Sequence, residues 1–216
     1  MALSCIVFDC DGIILESVDV KTAAYAAICR DVAPPYEGEF LEYVTLHGGV
    51  SRFEKFEWLA RKMFGRGITP EESSLFGEKF IQCCLDAVLA APQVPGFKET
   101  AERWFGRVPM YVASGTPQYE LEEVIRRHGL DHYFAGVFGT PPAKAALLAH
   151  AVRDSGGKPK QTVMIGDSKT DLDAAIIVGT RFYGRGQYFA NGNHPWGEDL
   201  TGLNEYLERV AADDVR

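Results

Sequence analysis

The sequence predicts an α/β protein with a doubly wound, parallel-sheet, Rossmann-like core and an α-helical unit inserted after the first strand. Three observations carry that expectation. Short apolar runs, each closed by Asp, Ser or Gly, alternate with amphipathic stretches through the second half of the chain, the pattern of a parallel sheet covered by helices on both faces. A single run of the same kind, Cys5-Ile6-Val7-Phe8, stands alone near the start. Between it and the next lies a long stretch of helical periodicity, too long for a simple crossover. The core is therefore expected at 1–15 and 93–216, with the helical insertion at 16–92.

The elements follow in order. The first strand ends in Asp9-Cys10-Asp11-Gly12, two carboxylates one residue apart at a sharp turn. Val20, Ala23, Ala24, Ala27 and Ile28 then recur at helical spacing, Pro34-Pro35 interrupts, and a shorter helical stretch covers Phe40 to Leu46. Ser51-Arg52-Phe53-Glu54 is a capping-box pattern opening a helix with the stripe Phe53, Phe56, Ala60, Met63 and Phe64. Thr69-Pro70-Glu71-Glu72 opens another, with the stripe Phe76, Phe80, Cys83, Cys84 and Ala87. Pro92 and Pro95-Gly96 end the insertion, and Leu15 to Val18 and Leu89 to Pro95 are its expected hinges. Val108 to Ala113 is the second strand, leading through Ser114-Gly115 to a helix with Thr116 as N-cap and Leu121, Val124, Ile125 and His128 on its inner face. Strands at Ala135 to Phe138, Thr162 to Ile165 and Arg181 to Tyr183 follow, with helices marked by Leu147, Leu148, Ala151 and Val152, and by Leu203, Tyr206, Leu207 and Val210.

Composition narrows the function. The 216 residues are 46% hydrophobic and 24% charged, with 30 acidic against 22 basic side chains and a net charge of -8. The basic excess that neutralises nucleic-acid phosphates is missing, so no nucleic-acid partner is expected, and an anionic ligand has to be met by a few placed cations or a metal. No run is long enough to span a bilayer, and Met1-Ala2-Leu3-Ser4 shows no leader pattern before the first strand, so a cytoplasmic protein without membrane partners is expected. The five cysteines lack zinc-site or Cys-x-x-Cys spacing and read as reduced core thiols. Oligomeric state is not legible.

In an open parallel sheet, ligands gather at the carboxyl ends of the strands. Asp9 and Asp11 end the first strand, Ser114 the second and Asp167 the fourth, while Lys144 follows the third by a short loop. Paired carboxylates repel unless a cation or a shared proton relieves them. The chemistry that uses such a set is phosphoryl transfer through an aspartyl-phosphate, in which a carboxylate attacks an anionic phosphoryl group whose charge must be neutralised. Magnesium suits one or two carboxylates plus substrate oxygens, Lys144 supplies a point charge, and Ser114 with nearby backbone N–H groups holds the remaining oxygens. Asp171 stands three residues after Ser168 and also fits a helix capping box.

Phe8-Asp9-Cys10-Asp11-Gly12-Ile13-Ile14-Leu15-Glu16-Ser17 resembles motif I of the haloacid dehalogenase superfamily of phosphohydrolases. Val112-Ala113-Ser114-Gly115-Thr116 is similar to motif II, Lys144 to the motif III lysine, and Gly166-Asp167-Ser168-Lys169-Thr170-Asp171 to motif IV. The insertion after motif I is similar to the helical cap of the subclass that includes phosphoglycolate phosphatase and β-phosphoglucomutase. The resemblance implies that Asp9 is the nucleophile and a magnesium ligand, and that Asp11 is the general acid and base with its main-chain carbonyl on the metal. It also implies that Asp167 is a metal ligand, that Asp171 orients metal-bound water, and that Ser114, Gly115 and Lys144 receive the phosphoryl group. Ile13 replaces a frequent Thr, and Ala145 follows Lys144 in place of a frequent Pro.

His47-Gly48-Gly49-Val50-Ser51-Arg52 resembles the specificity loop of β-phosphoglucomutase-like members, which makes His47 and Arg52 candidate substrate contacts. A magnesium-dependent phosphoric monoester hydrolase acting on a small, sugar-phosphate-like ester is the leading expectation. A phosphosugar mutase, which needs the same core, and a catalytically silent protein that binds phosphate esters are the alternatives. A dehalogenase has no use for Asp11. Phosphonate hydrolysis in this superfamily employs a cap lysine, but Lys21, Lys55 and Lys62 stand in no recognisable context.

Overall fold

The structure, a computed structural model, describes residues 3–213; Met1 and Ala2 of the expected core segment and residues 214–216 lie outside the described residues. The strands β1 (Cys5–Phe8), β2 (Met110–Pro117), β3 (Gly136–Thr140), β4 (Thr162–Gly166), β5 (Arg181–Arg185) and β6 (Trp196–Gly197) form one parallel sheet in the order β3-β2-β1-β4-β5-β6. Helices α1 (Val18–Val32), α2 (Glu37–Leu46), α3 (Arg52–Phe64) and α4 (Pro70–Leu89) all fall between β1 and α5 (Phe97–Trp104). The later helices are α6 (Gln118–Arg127), α7 (Lys144–Asp154), α8 (Lys169–Val178) and α9 (Leu203–Ala212).

Strand alternation sorts the core into two layers. Cys5 and Val7 pack with Leu147, Leu148, Ala174 and Ala175 of α7 and α8. Ile6 and Phe8 belong to the opposite layer, with Phe97, Leu121, Ile125, Leu203 and Leu207 of α5, α6 and α9. Because both faces are covered, β1 is apolar at every position and has no polar side chain until Asp9. The two crossings between sheet and insertion run side by side: Leu15 bridges Gln93, the Glu16 N–H donates to the Pro92 carbonyl, and the Val94 N–H to that of Ile14. An aromatic cluster of Tyr25, Phe40, Phe56, Phe76 and Phe80 packs α1 to α4 together.

Several local expectations are corrected. Thr116 is not an N-cap; β2 runs on with a register shift between Ser114 and Pro117, and α6 starts at Gln118. The inner face of α3 is Arg52, Lys55, Phe56, Leu59 and Ala60, whereas Phe53 and Phe64 face outward, and Ser51 caps the helix without a reciprocal bond from Glu54. On α4 the buried residues are Phe76, Gly77, Phe80, Cys84 and Val88, which leaves Cys83 and Ala87 exposed and Cys83 outside the core. The capping box of Thr69 with Glu72 forms as expected, and α5 and the two-residue β6 are additions. Among the described residues no helix is long and apolar enough to cross a membrane.

Candidate active site

The strand ends converge as their positions require. Asp9 follows β1 directly, its N–H donating to the Ile165 carbonyl of β4, so its side chain is fixed between two central strands. Lys144, the first residue of α7, brings its Nζ to 3.0 Å from Asp9 Oδ2 and 2.6 Å from Asp171 Oδ1, with all three side chains buried. Asp171 Oδ2 accepts from the Ser168 N–H at 3.1 Å and from its hydroxyl at 2.5 Å. Asp171 thus completes the α8 capping box and holds the lysine at once.

Asp9, Asp167 and Asp171 each place a carboxylate oxygen within 4.8 Å of the others. Asp9 Oδ1 is buried with no hydrogen-bond partner. Burial, opposed by Lys144 and reinforced by Asp171 and Asp11, pushes the Asp9 carboxyl up to about 7. Burial and the charges of Asp171 and Asp9 push Asp167 well above the usual carboxylate range. A partnerless carboxylate oxygen inside a cluster of acids held against their own repulsion is the arrangement a divalent cation relieves, and all-oxygen donors suit magnesium. The oxygens of Asp171 are already engaged, so Asp9 and Asp167 are the side chains with free ligand capacity. Gly12, at φ +75°, leaves the space for this: a Cβ there would sit 2.2 Å from Asp167 Oδ2.

Asp11 faces the same cavity from a different environment. Ser17 Oγ donates to its Oδ1 at 2.6 Å, while Lys21 Nζ at 2.6 Å and the Thr116 hydroxyl at 3.0 Å donate to Oδ2. Burial alone raises its proton affinity, but the Lys21 charge and these three donors outweigh it and hold the carboxyl below its ordinary value. Neighbouring aspartates are thereby driven apart, one towards the neutral form and one towards the ion.

The cavity, about 530 Å³, is lined by Asp9, Asp11, Ser114, Gly115 and Asp167 on one side and by α1, the end of α2, the 48–50 loop and α3 on the other. The loop fits closely: a Cβ on Gly115 would lie 2.3 Å from the Gly49 carbonyl oxygen, and one on Gly49 would lie 3.0 Å from Lys144 Nζ. Arg52 lines the cavity and pairs with Glu120 of α6. His47 is elsewhere; its Nδ1 is 2.8 Å from the Tyr43 carbonyl oxygen, its ring stacks on Tyr43, and it does not line the cavity.

A family model for haloacid dehalogenase-like hydrolases matches residues 3–179, most of the chain and every strand-end residue named above. The chain belongs to the haloacid dehalogenase-like hydrolases. Phosphoglycolate phosphatase 1 of Pseudomonas aeruginosa is 27% identical over 185 residues, which cover 82% of this chain and 66% of that protein. A phosphorylated carbohydrates phosphatase of Thermotoga maritima is 25% identical over 199 residues, covering 84% and 85%. A solved structure of β-phosphoglucomutase from Clostridium difficile superimposes with a TM-score of 0.81 at 16% identity, covering 99% of this chain and all of that one, a likeness of fold.

Sequence reasoning in this hydrolase missed Lys21, Lys55 and Thr116, which line the cavity, and Ser17, which donates to Asp11. Lys21 and Lys55 share the helical phase of buried apolar neighbours, Ala24, Tyr25 and Ile28 for the first and Phe56 and Leu59 for the second. That phase is the signal that points them inward.

Proposed function

We propose that the chain is a magnesium-dependent phosphomonoesterase acting on a small phosphate ester through an aspartyl-phosphate on Asp9. The observation that carries this reading is the partnerless buried oxygen of Asp9, set beside Lys144 and facing the same cavity as Ser114, Gly115 and Asp11. Magnesium held by Asp9, Asp167 and the Asp11 main-chain carbonyl would supply charge neutralisation for the transferring phosphoryl group. Asp171 holds Lys144 against Asp9, and Lys144, Ser114 and Gly115 receive phosphoryl oxygens.

In the first half-reaction an Asp9 carboxylate oxygen forms a bond to phosphorus, the ester P–O bond breaks, and Asp11 gives its proton to the leaving alcohol oxygen. A phosphate dianion beside Asp11 raises its proton affinity and so opposes the ionising effect of Lys21. In the second, a water oxygen attacks phosphorus, Asp11 takes the water proton, and the bond to Asp9 breaks, releasing inorganic phosphate. The helical segment 16–92 serves as a lid whose Gly48-Gly49 loop excludes bulk water. Names borne by the relatives, phosphoglycolate phosphatase and phosphorylated carbohydrates phosphatase, support a small phosphate monoester as substrate.

The test is phosphate release by the purified chain with magnesium and with chelator, across sugar phosphates, phosphorylated hydroxy acids and p-nitrophenyl phosphate. Release that chelator abolishes is expected. No magnesium-dependent release from any ester refutes the proposal, and isomerised sugar phosphate with little free phosphate replaces it with a mutase.

A further inference from the structure

One guanidinium ties the turn after β1 to the far half of the sheet. Arg185 ends β5, and its Nη1 donates to the Gly12 carbonyl at 2.7 Å and to Glu16 Oε2 at 3.0 Å, while its Nη2 donates to Glu16 Oε1 at 2.6 Å. Its Nε donates to the Glu198 carbonyl at 3.2 Å, so all three nitrogens are engaged. Fold stability does not account for this arrangement. The Arg185 and Glu16 side chains are 18% and 37% exposed, and an ion pair that open to water contributes little. What the arrangement supplies is geometry: a planar fork on a carboxylate, with a carbonyl on the same nitrogen, fixes orientation as a point charge does not.

The two residues that Arg185 grips bracket the surroundings of Asp11. Asp9 is held by the sheet, its N–H bonded to Ile165 and its carboxylate to Lys144. Asp11 lies beyond the strand, on a turn closed only by its own bonds, from the Gly12 N–H to the Leu15 carbonyl and from the Ile14 and Leu15 N–H groups to that of Cys10. Gly12 follows Asp11 directly. Ser17 and Lys21, two of the three donors to the Asp11 carboxylate, follow Glu16 closely in the chain. Arg185 therefore holds the turn on both sides of the carboxylate's attachments, and it does not itself line the cavity.

We propose that Arg185 is a positioning residue for Asp11: by binding Gly12 and Glu16 together it keeps the turn from shifting, and so keeps the Asp11 carboxyl within reach of the departing ester oxygen. The proton transfer rests on the phosphatase reading above; the grip on the turn does not. A proton moves only across hydrogen-bond distance, so slack in the turn weakens protonation of the leaving group. Attack by Asp9 is spared, because β1, β4 and Lys144 hold that carboxylate without help from Arg185. Loss of Arg185 should therefore be felt by esters that need the proton and much less by esters that do not.

Phenyl phosphate and p-nitrophenyl phosphate share a ring and differ in how far the departing oxygen needs a proton, so kcat/KM for the pair, measured with magnesium, tests this. Arg185→Met should lower the value for the phenyl ester about 30-fold and that for the nitrophenyl ester about threefold. Arg185→Lys, whose single ammonium cannot hold the carbonyl and both carboxylate oxygens together, should show the same split reduced to about fivefold, and it serves if the methionine variant folds poorly. Amide hydrogen exchange of the unliganded protein is read in parallel: residues 12–17 should exchange about tenfold faster in either variant, with β1 as slow as in the wild type. Equal losses on the two esters, as a merely structural role gives, or unaltered exchange at 12–17, overturn the proposal. Faster exchange in the variants of a wild type that releases phosphate from neither ester removes the phosphatase reading and keeps Arg185 as the residue that fixes the Asp11 turn.

Discussion

Lys144 stands between Asp9 and Asp171, 3.0 Å from the first and 2.6 Å from the second. It is the only cation bonded to two buried carboxylates among the described residues. Lys144→Met leaves both without a partner and is expected to cost about 3–5 kcal/mol of stability in urea denaturation, together with turnover. Added magnesium should restore part of that stability, because a cation at the cluster relieves the same repulsion.

Asp171 separates two tasks that one carboxylate performs. Asp171→Asn retains an oxygen for the Ser168 cap and removes the charge that holds Lys144. Stability should stay within about 1 kcal/mol of wild type, while kcat falls about 10- to 100-fold. Asp171→Ala should lose both, and steady-state kinetics beside thermal unfolding of the two variants tells the tasks apart.

Gly115 is where the loop above the site meets the sheet. A methyl group there collides with the Gly49 carbonyl, a backbone atom that cannot swing aside. Gly115→Ala should keep the fold with a lowered melting temperature and lower kcat/KM by about 100-fold, the effect of an ångström-scale displacement at a reacting centre. Unchanged kinetics would mean that the loop seats elsewhere during turnover.

Lys55 is buried with no charged partner among the described residues, at a cost to the fold. Replacing the buried, unpaired ammonium by an apolar side chain in Lys55→Met should stabilise the unliganded protein by about 1–3 kcal/mol at neutral pH, read by urea denaturation. The sign with pH follows from the amine's fall from its ordinary 10.5 to about 8 on folding. Between those values the unfolded chain holds the proton and the folded chain has released it, so this contribution to stability rises with pH across the window. The gap between variant and wild type should therefore narrow from pH 8 upward.

The residues that were legible share a position. Asp9, Asp11, Ser114 and Asp167 each interrupt or end an apolar strand, where a polar side chain needs a reason, and the topology then carries them to the carboxyl end of the sheet. Lys144 was legible only through the spacing of the family motifs, because a lysine opening a helix otherwise reads as solvated. Lys55 was hidden by the choice of phase for α3: taking Phe53 and Phe64 as inner residues turned Lys55 outward, and the aromatic cluster around Tyr25 and Phe56 settles the opposite rotation. Thr116-Pro117 marked the start of α6 to within two residues but misassigned the threonine, since the register shift in β2 keeps Thr116 in the strand and aims its hydroxyl at Asp11. The pair in β6 carried no signal, being too short to show any period.

The sheet order has a further consequence, for the time at which the protein becomes competent. β1 is the first strand made, yet its neighbours are β2 and β4, and β4 closes only at Gly166. On a ribosome the helices α1 to α4 emerge and can pack long before either neighbour of β1 exists, and such distant pairing is slow to form. Asp9 and Asp11 therefore wait, without Lys144, Asp167 or Asp171, until about three quarters of the chain has been made. The nascent chain carries its helical insertion first and its complete acidic cluster last.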